Sequence, residues 1–238
     1  MGKLRRIYKD EENADHTIIH LMVNSNCTNR CNDCCNNQYN LDKVPVATVE
    51  ELQNAKVVLL TGGEPFLLAD IHDFVKSLRW QYQNIEKLYI YTSGYAMYKT
   101  RDKWLCYGDF GLYIDGINFS PKCNGDEKAI KKLFDDTDAR LFLFHNMSNR
   151  IILMDYEGKT TDDDEFIQSL NCSDVSPSAK FSIENRAFQK KFQPNGGVWR
   201  RLPIFLDKKI TLLTFINSIY LVISDFLCTF AVVIKKQK

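Results

Sequence analysis

The chain has 238 residues, of which 45% are hydrophobic and 12% aromatic, and its formal net charge is +1. This length fits one ordinary domain with a short extension, and the balanced charge excludes the strongly basic surface that nucleic-acid binding usually requires. Eight cysteines are present, four of them crowded between positions 27 and 35, which argues against a disulfide framework. The start is charged and no apolar core follows it closely, so we predict no signal peptide and expect a cytoplasmic protein.

The first predicted element is a buried strand over residues 17–23, which leads into a loop with the spacing C-x3-C-x2-C. The loop contributes Cys27, Cys31 and Cys34, whose thiolates can converge on one metal centre. A zinc ion takes a fourth protein ligand, and a [4Fe–4S] cluster is normally held by four cysteines. Three cysteines therefore favour a cluster with one iron left open, and a structural zinc site is the alternative. We do not count the adjacent Cys35 among the metal ligands.

A second motif follows the next predicted strand, which covers residues 57–60. The motif is Gly62-Gly63-Glu64-Pro65, and its glycines would let the backbone approach a ligand closely. Glycine and proline alone would indicate an ordinary turn, but the position directly after a strand favours a binding role. Between the two motifs, Thr48 and Glu51 form a predicted capping box that opens a short helix.

Together the two motifs resemble those of the radical S-adenosylmethionine (SAM) enzymes. The resemblance implies that the three cysteines ligate three irons of a [4Fe–4S] cluster and that SAM chelates the fourth. It also implies that residues 62–65 hold the methionine end of SAM. In that family an electron from the cluster cleaves SAM, and the resulting 5′-deoxyadenosyl radical takes a hydrogen atom from the substrate. An electron donor such as flavodoxin or ferredoxin would be a partner.

Strands and helices alternate along the rest of the predicted core. Helices are expected at residues 69–82, 96–107 and 127–134, and strands at 87–94, 113–120, 139–144 and 150–154. This alternation predicts right-handed crossovers and a parallel sheet, hence an α/β fold. With the resemblance, we expect a partial (β/α)6-type barrel with an irregular C-terminal extension. Ligands of such sheets bind at the carboxyl ends of the strands, where both motifs fall. Ser93 and Ser120, at two further strand ends, are additional candidates for SAM binding.

We divide the chain into a core (1–150), an extension (151–207) and an apolar tail (208–238). In the extension, the acidic run at 162–165 predicts a solvated helix start, and residues 171–201 are polar with a loop at 195–197. Residues 210–234 are almost continuously apolar and long enough to span a membrane. Asp225 argues against insertion, because a carboxylate within the membrane is costly. A membrane anchor, a packed helix or strand pair, and a non-native extension all remain open for this tail.

The substrate is the least specified part of the prediction. Ser120-Pro121-Lys122 resembles a segment of the 7-carboxy-7-deazaguanine synthases, but Cys35-Asn36 replaces the Asp-Thr that those enzymes carry, and their glycine- and glutamate-rich N-terminus is missing. Asp33 replaces the aromatic residue that the wider family usually has before its third cysteine. Activating enzymes for glycyl-radical proteins are another small class, and a non-enzymatic Fe–S or zinc module is the alternative outside catalysis. Small-molecule and peptide substrates both stay open.

Overall fold

The computed structural model describes residues 14–31, 34–144, 147–170, 180–186 and 196–202. Within these ranges, seven strands form one sheet in the order β6-β5-β4-β3-β2-β1-β7, and every neighbouring pair is parallel. The strands are β1 (Asp15–Asn24), β2 (Val57–Gly62), β3 (Lys87–Thr92), β4 (Gly116–Phe119), β5 (Ser148–Met154), β6 (Lys180–Arg186) and β7 (Gly197–Arg201). The predicted α/β fold with a parallel sheet is confirmed.

Seven α-helices lie within the same ranges. They are α1 (Val49–Asn54), α2 (Ile71–Gln81), α3 (Tyr95–Lys99), α4 (Arg101–Leu105), α5 (Asn124–Asp135), α6 (Thr137–Phe144) and α7 (Asp163–Ser169). Strands β1 to β6 lie side by side in chain order, and crossovers between parallel strands are right-handed. Each crossover therefore places its helices on the same side of the sheet.

One face of the sheet is the hydrophobic core. Paired residues of neighbouring parallel strands share a face, so the ladders assign each side chain to one side. The core face carries residues that are 0% exposed, namely Ile19, Leu21, Val58, Leu60, Leu88, Ile90 and Ile117. Helix α5 covers part of it, since the rings of Phe119 and Phe134 lie 5.9 Å apart. Burial of this apolar area is the main stabilising contribution to the fold.

The opposite face, which we call the open face, is more polar. It carries His20, Leu59, Thr61, Tyr89, Tyr91, Asn118 and Arg150, which the ladders place on one side. Leu59, Tyr89 and Tyr91 are only half-buried, although β2 and β3 are central strands. A side chain at the centre of a sheet reaches solvent only where nothing packs directly over it. The open face is therefore accessible to solvent above β2 and β3.

The predicted strand over residues 139–144 is wrong, because this segment belongs to helix α6. The Asp136 carboxylate accepts the backbone N–H groups of Asp138 and Ala139, which caps the helix start. Ala139 and Leu143, four residues apart, are buried, whereas Leu141 between them is 67% exposed. That is helical rather than strand periodicity. A short apolar run does not separate the two by composition alone.

The other secondary-structure predictions are partly confirmed and partly wrong. The predicted capping box is present, because Glu51 N–H donates to the Thr48 hydroxyl and Thr48 N–H donates to the Glu51 carboxylate. The acidic run does start a helix, with Asp162 capping α7. The single helix expected at 96–107 is two short helices, α3 and α4. Strands β6 and β7 were not anticipated, and they extend the sheet well beyond residue 150.

No helix within the described ranges is long and apolar enough to cross a membrane. The apolar tail at 210–234 and the position of Asp33 lie outside those ranges, so the expectations about them stay predictions.

Candidate metal and cofactor site

The cysteine loop and the Gly-Gly-Glu-Pro turn lie against each other at the carboxyl ends of β1 and β2. Gly63 N–H donates to the Asn24 carbonyl at 2.9 Å, and Glu64 N–H donates to the Asn26 carbonyl at 2.7 Å. In the other direction, the Asn24 side-chain amide donates to the Glu64 carbonyl at 3.1 Å. These bonds fix the start of the cysteine loop, because Asn26 immediately precedes Cys27. The two sequence motifs are therefore parts of one structural unit.

The two glycines are required by this backbone contact. A Cβ on Gly62 would overlap the carbonyl oxygen of Asn24, and one on Gly63 would overlap the carbonyl oxygen of Asn26. Gly62 also has φ of +137°, which side chains other than glycine rarely allow. From their position we expected the glycines to serve a bound ligand, whereas the structure shows that they first of all allow the cysteine loop to pack against the turn. Their contact with SAM stays a prediction.

The three cysteines lie near the surface. Cys27 is exposed, and Cys31 and Cys34 are half-buried. The pKa of the Cys31 thiol is raised to about 11, first by burial and then by the neighbouring charges of Cys34 and Cys27. Burial also raises the pKa of Cys27, with smaller contributions from Glu64 and Cys34. The three side chains thus influence one another electrostatically, which requires them to be close in space.

Among the residues that the structure describes, no group of three or more His, Cys, Asp or Glu side chains is arranged to hold one metal ion. Of the other cysteines, Cys106 and Cys123 are free and exposed, whereas Cys172 and Cys228 lie outside the described ranges.

Glu64 is a buried link between two strand ends. Its side chain is 1% exposed, and one carboxylate oxygen accepts both the backbone N–H of Ser93 at 2.9 Å and the Ser93 hydroxyl at 3.2 Å. The other oxygen accepts the N–H of Phe66 at 3.3 Å. Burial raises the pKa of this carboxyl, although the hydrogen bonds act in the opposite direction. Glu64 therefore joins the turn after β2 to the turn after β3.

Replacing Glu64 with alanine is expected to destabilise the fold. The change leaves two backbone N–H groups and one hydroxyl without their acceptor, and each orphaned donor costs about 1–3 kcal/mol. We expect a loss of at least about 3 kcal/mol in the free energy of unfolding, measured by denaturant titration. Glu64→Gln keeps one carbonyl oxygen and should lose less. Equal stability of wild type and Glu64→Ala would show that the carboxylate makes no net contribution.

The remaining predicted residues lie at the same edge of the sheet. Pro65 is buried and opens a short 3-10 turn, Pro65–Leu67, that follows the glycines. Ser93 is brought to Glu64 as described. Ser120 donates its N–H to the Thr92 carbonyl at 2.8 Å, and its hydroxyl accepts the Lys122 ammonium at 2.6 Å. The ends of β1 to β4 thus contribute every site residue that the sequence proposed.

Sequence reasoning missed Asp126, in the first turn of α5. The residue is 0% exposed, and one carboxylate oxygen accepts the side-chain amide of Asn29 and the backbone N–H of Lys122, each at 2.8 Å. Asp126 therefore anchors the middle of the cysteine loop to the segment after β4. Its signal in sequence is weak, since an acidic residue at a helix start is common. Asn29 and Asp126 are 97 residues apart in sequence, so local patterns do not predict their contact.

Charge at the site is mixed. The negative charges of Glu64 and Asp126 raise the pKa of Cys27, and Asp126 also raises that of Cys31. Lys122 has the opposite effect, because its positive charge lowers the pKa of Cys31. A metal centre carrying thiolate charge would gain from this cation.

No protein-family model matches the chain, and no curated protein matches it either.

Proposed function

We propose that this protein is a radical SAM enzyme, with Cys27, Cys31 and Cys34 as ligands of a [4Fe–4S] cluster and SAM bound at the open iron. The observation that carries the proposal is the docking of the cysteine loop on the turn at residues 62–65. Two motifs that are 26 or more residues apart in sequence form one hydrogen-bonded unit. That unit lies at the carboxyl edge of a parallel sheet, where ligands of such folds bind.

The donor set fits such a cluster better than it fits a lone zinc ion. The three soft thiol ligands are partly exposed and interact electrostatically. In a cube each cysteine ligates a different iron, so the sulfur atoms need not surround one point. A single zinc ion would need a fourth protein ligand in addition to these three cysteines. When bound and reduced, the cluster supplies the electron that cleaves SAM to methionine and the 5′-deoxyadenosyl radical.

The protein's own residues would orient these groups. Asn24 and Asn26 hold the cysteine loop against the turn at residues 62–65. Asp126 anchors the middle of the loop through Asn29. The Glu64 carboxylate holds the turn in place by accepting the N–H of Phe66. The ammonium of Lys122 would offset negative charge near Cys31. The sequence contains one cysteine motif with the spacing of an iron–sulfur site. The electron that reduces the cluster would therefore come from an external one-electron donor such as flavodoxin or ferredoxin.

We infer that the sheet curls into a partial barrel with the open face inside. The rings of His20 and Tyr91 lie 6.4 Å apart, although two strand spacings separate β1 and β3 by about 9.5 Å, so these side chains converge.

The test is cleavage of SAM under anaerobic conditions. Protein reconstituted with iron and sulfide and reduced with dithionite is expected to release 5′-deoxyadenosine and methionine in equal amounts, even without substrate. The reason is that cleavage requires only the cluster, bound SAM and an electron. Chromatography with mass detection measures both products. Stoichiometric zinc with no iron, or iron without SAM binding, would instead identify a structural metal module.

A further inference from the structure

Asn29, in the middle of the cysteine loop, is held by hydrogen bonds on two sides. Its side-chain amide donates to the Asp126 carboxylate at 2.8 Å. Burial raises the pKa of the Cys27 thiol, and the backbone N–H of Asn29, which donates to that sulfur, has the opposite effect. Asn29 also lies two residues before Cys31 in the sequence. Asp126 therefore reaches one proposed cluster ligand through Asn29 and fixes the backbone between two of them.

The negative charge of Asp126 is not needed for its hydrogen bonds. One carboxylate oxygen, Oδ2, accepts both the Asn29 amide and the backbone N–H of Lys122, each at 2.8 Å. The carbonyl oxygen of a neutral asparagine could accept the same two donors. Asp126 is 0% exposed, and burial of a charge costs desolvation free energy. A carboxylate at this position therefore indicates a role for the charge itself.

The buried charge acts on the thiols of the loop. Burial and the neighbouring loop cysteines raise the pKa of Cys31, and the charge of Asp126 adds to that rise, whereas Lys122 lowers it. Asp126 has an effect of the same sign on Cys27. A cluster bound by these sulfur atoms would experience the same charges. A nearby negative charge disfavours an added electron, so it lowers the reduction potential of a cluster.

We propose that Asp126 is a positioning residue for the cluster: it holds Asn29 against Cys27, and its buried negative charge lowers the cluster's reduction potential. Lys122 acts on the potential with the opposite sign. A low potential makes the electron of the reduced cluster more strongly reducing, which favours cleavage of a sulfonium such as SAM. The inference rests on the proposed function for the presence of the cluster, but the effect on the potential requires neither SAM nor a substrate.

The test is a redox titration of the reconstituted cluster in the absence of SAM, with the reduced form measured by electron paramagnetic resonance. Asp126→Asn keeps an oxygen for both hydrogen bonds and removes the charge. At a fixed applied potential, the ratio of reduced to oxidised cluster should therefore rise about tenfold. That change corresponds to about 59 mV for a one-electron couple. An unchanged ratio in Asp126→Asn would overturn the proposal.

Lys122→Met provides a second test that leaves the bond between Asp126 and Asn29 in place. It removes a positive charge, so the ratio of reduced to oxidised cluster should fall. A shift of the same sign in Lys122→Met and Asp126→Asn would contradict an electrostatic origin and overturn the proposal.

Glu127→Gln is the matched control for the loss of a buried charge. Glu127 is the next residue of the same helix and is 3% exposed, but its carboxylate accepts the hydroxyl of Tyr156, which follows β5, at 2.7 Å. Its replacement should change the ratio of reduced to oxidised cluster far less than Asp126→Asn does. Equal shifts in the two variants would show a general effect of removing charge from α5 and would overturn the assignment to Asp126.

Asp126→Ala tests the positioning role, because it removes the acceptor together with the charge. The loop then loses the bond to Asn29, so less iron should be retained after reconstitution than in Asp126→Asn. The unfolding midpoint of the iron-free protein should also be lower than that of Asp126→Asn, since two donors lose their acceptor. Equal iron content in the two variants would overturn the positioning role.

The redox titration also separates this inference from the proposed function. A shifted potential in a protein that does not cleave SAM would support the inference and contradict the proposed function. An unchanged potential in Asp126→Asn, with a wild type that cleaves SAM, would do the reverse. A protein that takes up zinc and no iron would overturn both.

Discussion

Replacing Cys27, Cys31 or Cys34 with alanine is expected to reduce bound iron from about four atoms per chain to below one. The cysteine loop holds all three proposed ligands, so each alanine removes one of the three thiolates that would bind the cluster. Each alanine variant should also lose the broad visible absorption of the cluster and the SAM cleavage that depends on it. Iron and sulfide assays on anaerobically reconstituted protein measure the effect.

Cys106→Ala is the matched control, because Cys106 is likewise a free, exposed thiol but lies in the connection after α4. It should keep the full iron content. Full iron in all three loop variants would place the metal elsewhere, and the same loss in Cys106→Ala would indicate a general effect of removing thiols. Retained zinc with no iron in the wild type would favour the structural module.

Much of the site could be predicted because its signals are local. The loop cysteines and the residues at 62–65 are each contiguous in sequence, and each follows an apolar strand that the pattern identifies. The capping box at Thr48 is equally local and was correctly predicted. In a parallel sheet, strand ends of consecutive βα units meet at one edge. Local patterns plus this rule were sufficient to bring the two motifs together.

What was missed depends on contacts between distant residues. Asp126 contacts Asn29 of the cysteine loop, which is 97 residues away in sequence, and no residue pattern near Asp126 indicates that contact. Strand β7 is short and ends in two arginines, so it does not resemble a buried strand. It is buried nonetheless, because Arg200 pairs with Glu51 at 2.7 Å and Arg201 donates to the Val44 carbonyl at 2.9 Å. Tertiary partners, not composition, make that strand.

The role of the glycines changed most between sequence and structure. From the sequence we expected these glycines to let the backbone approach a bound ligand. The structure adds a second role, because a Cβ at Gly63 would overlap the backbone of Asn26, next to Cys27. Backbone atoms cannot move aside as a flexible side chain can. A substitution at Gly63 therefore disturbs the cluster loop as well as any ligand contact.

Gly63→Ala is accordingly expected to lower the iron content and SAM binding together, with most of the reconstituted cluster lost. Even one methyl group would be closer to the Asn26 carbonyl than the 3.0 Å that real Cβ contacts keep, so the loop must detach from the turn. Iron assays and equilibrium SAM binding on the same preparation measure both losses. Gly108→Ala is the control, since a Cβ there meets nothing within 4 Å and should change neither quantity. A Gly63→Ala protein with full iron and weakened SAM binding would restore the simpler view that this glycine serves the ligand alone.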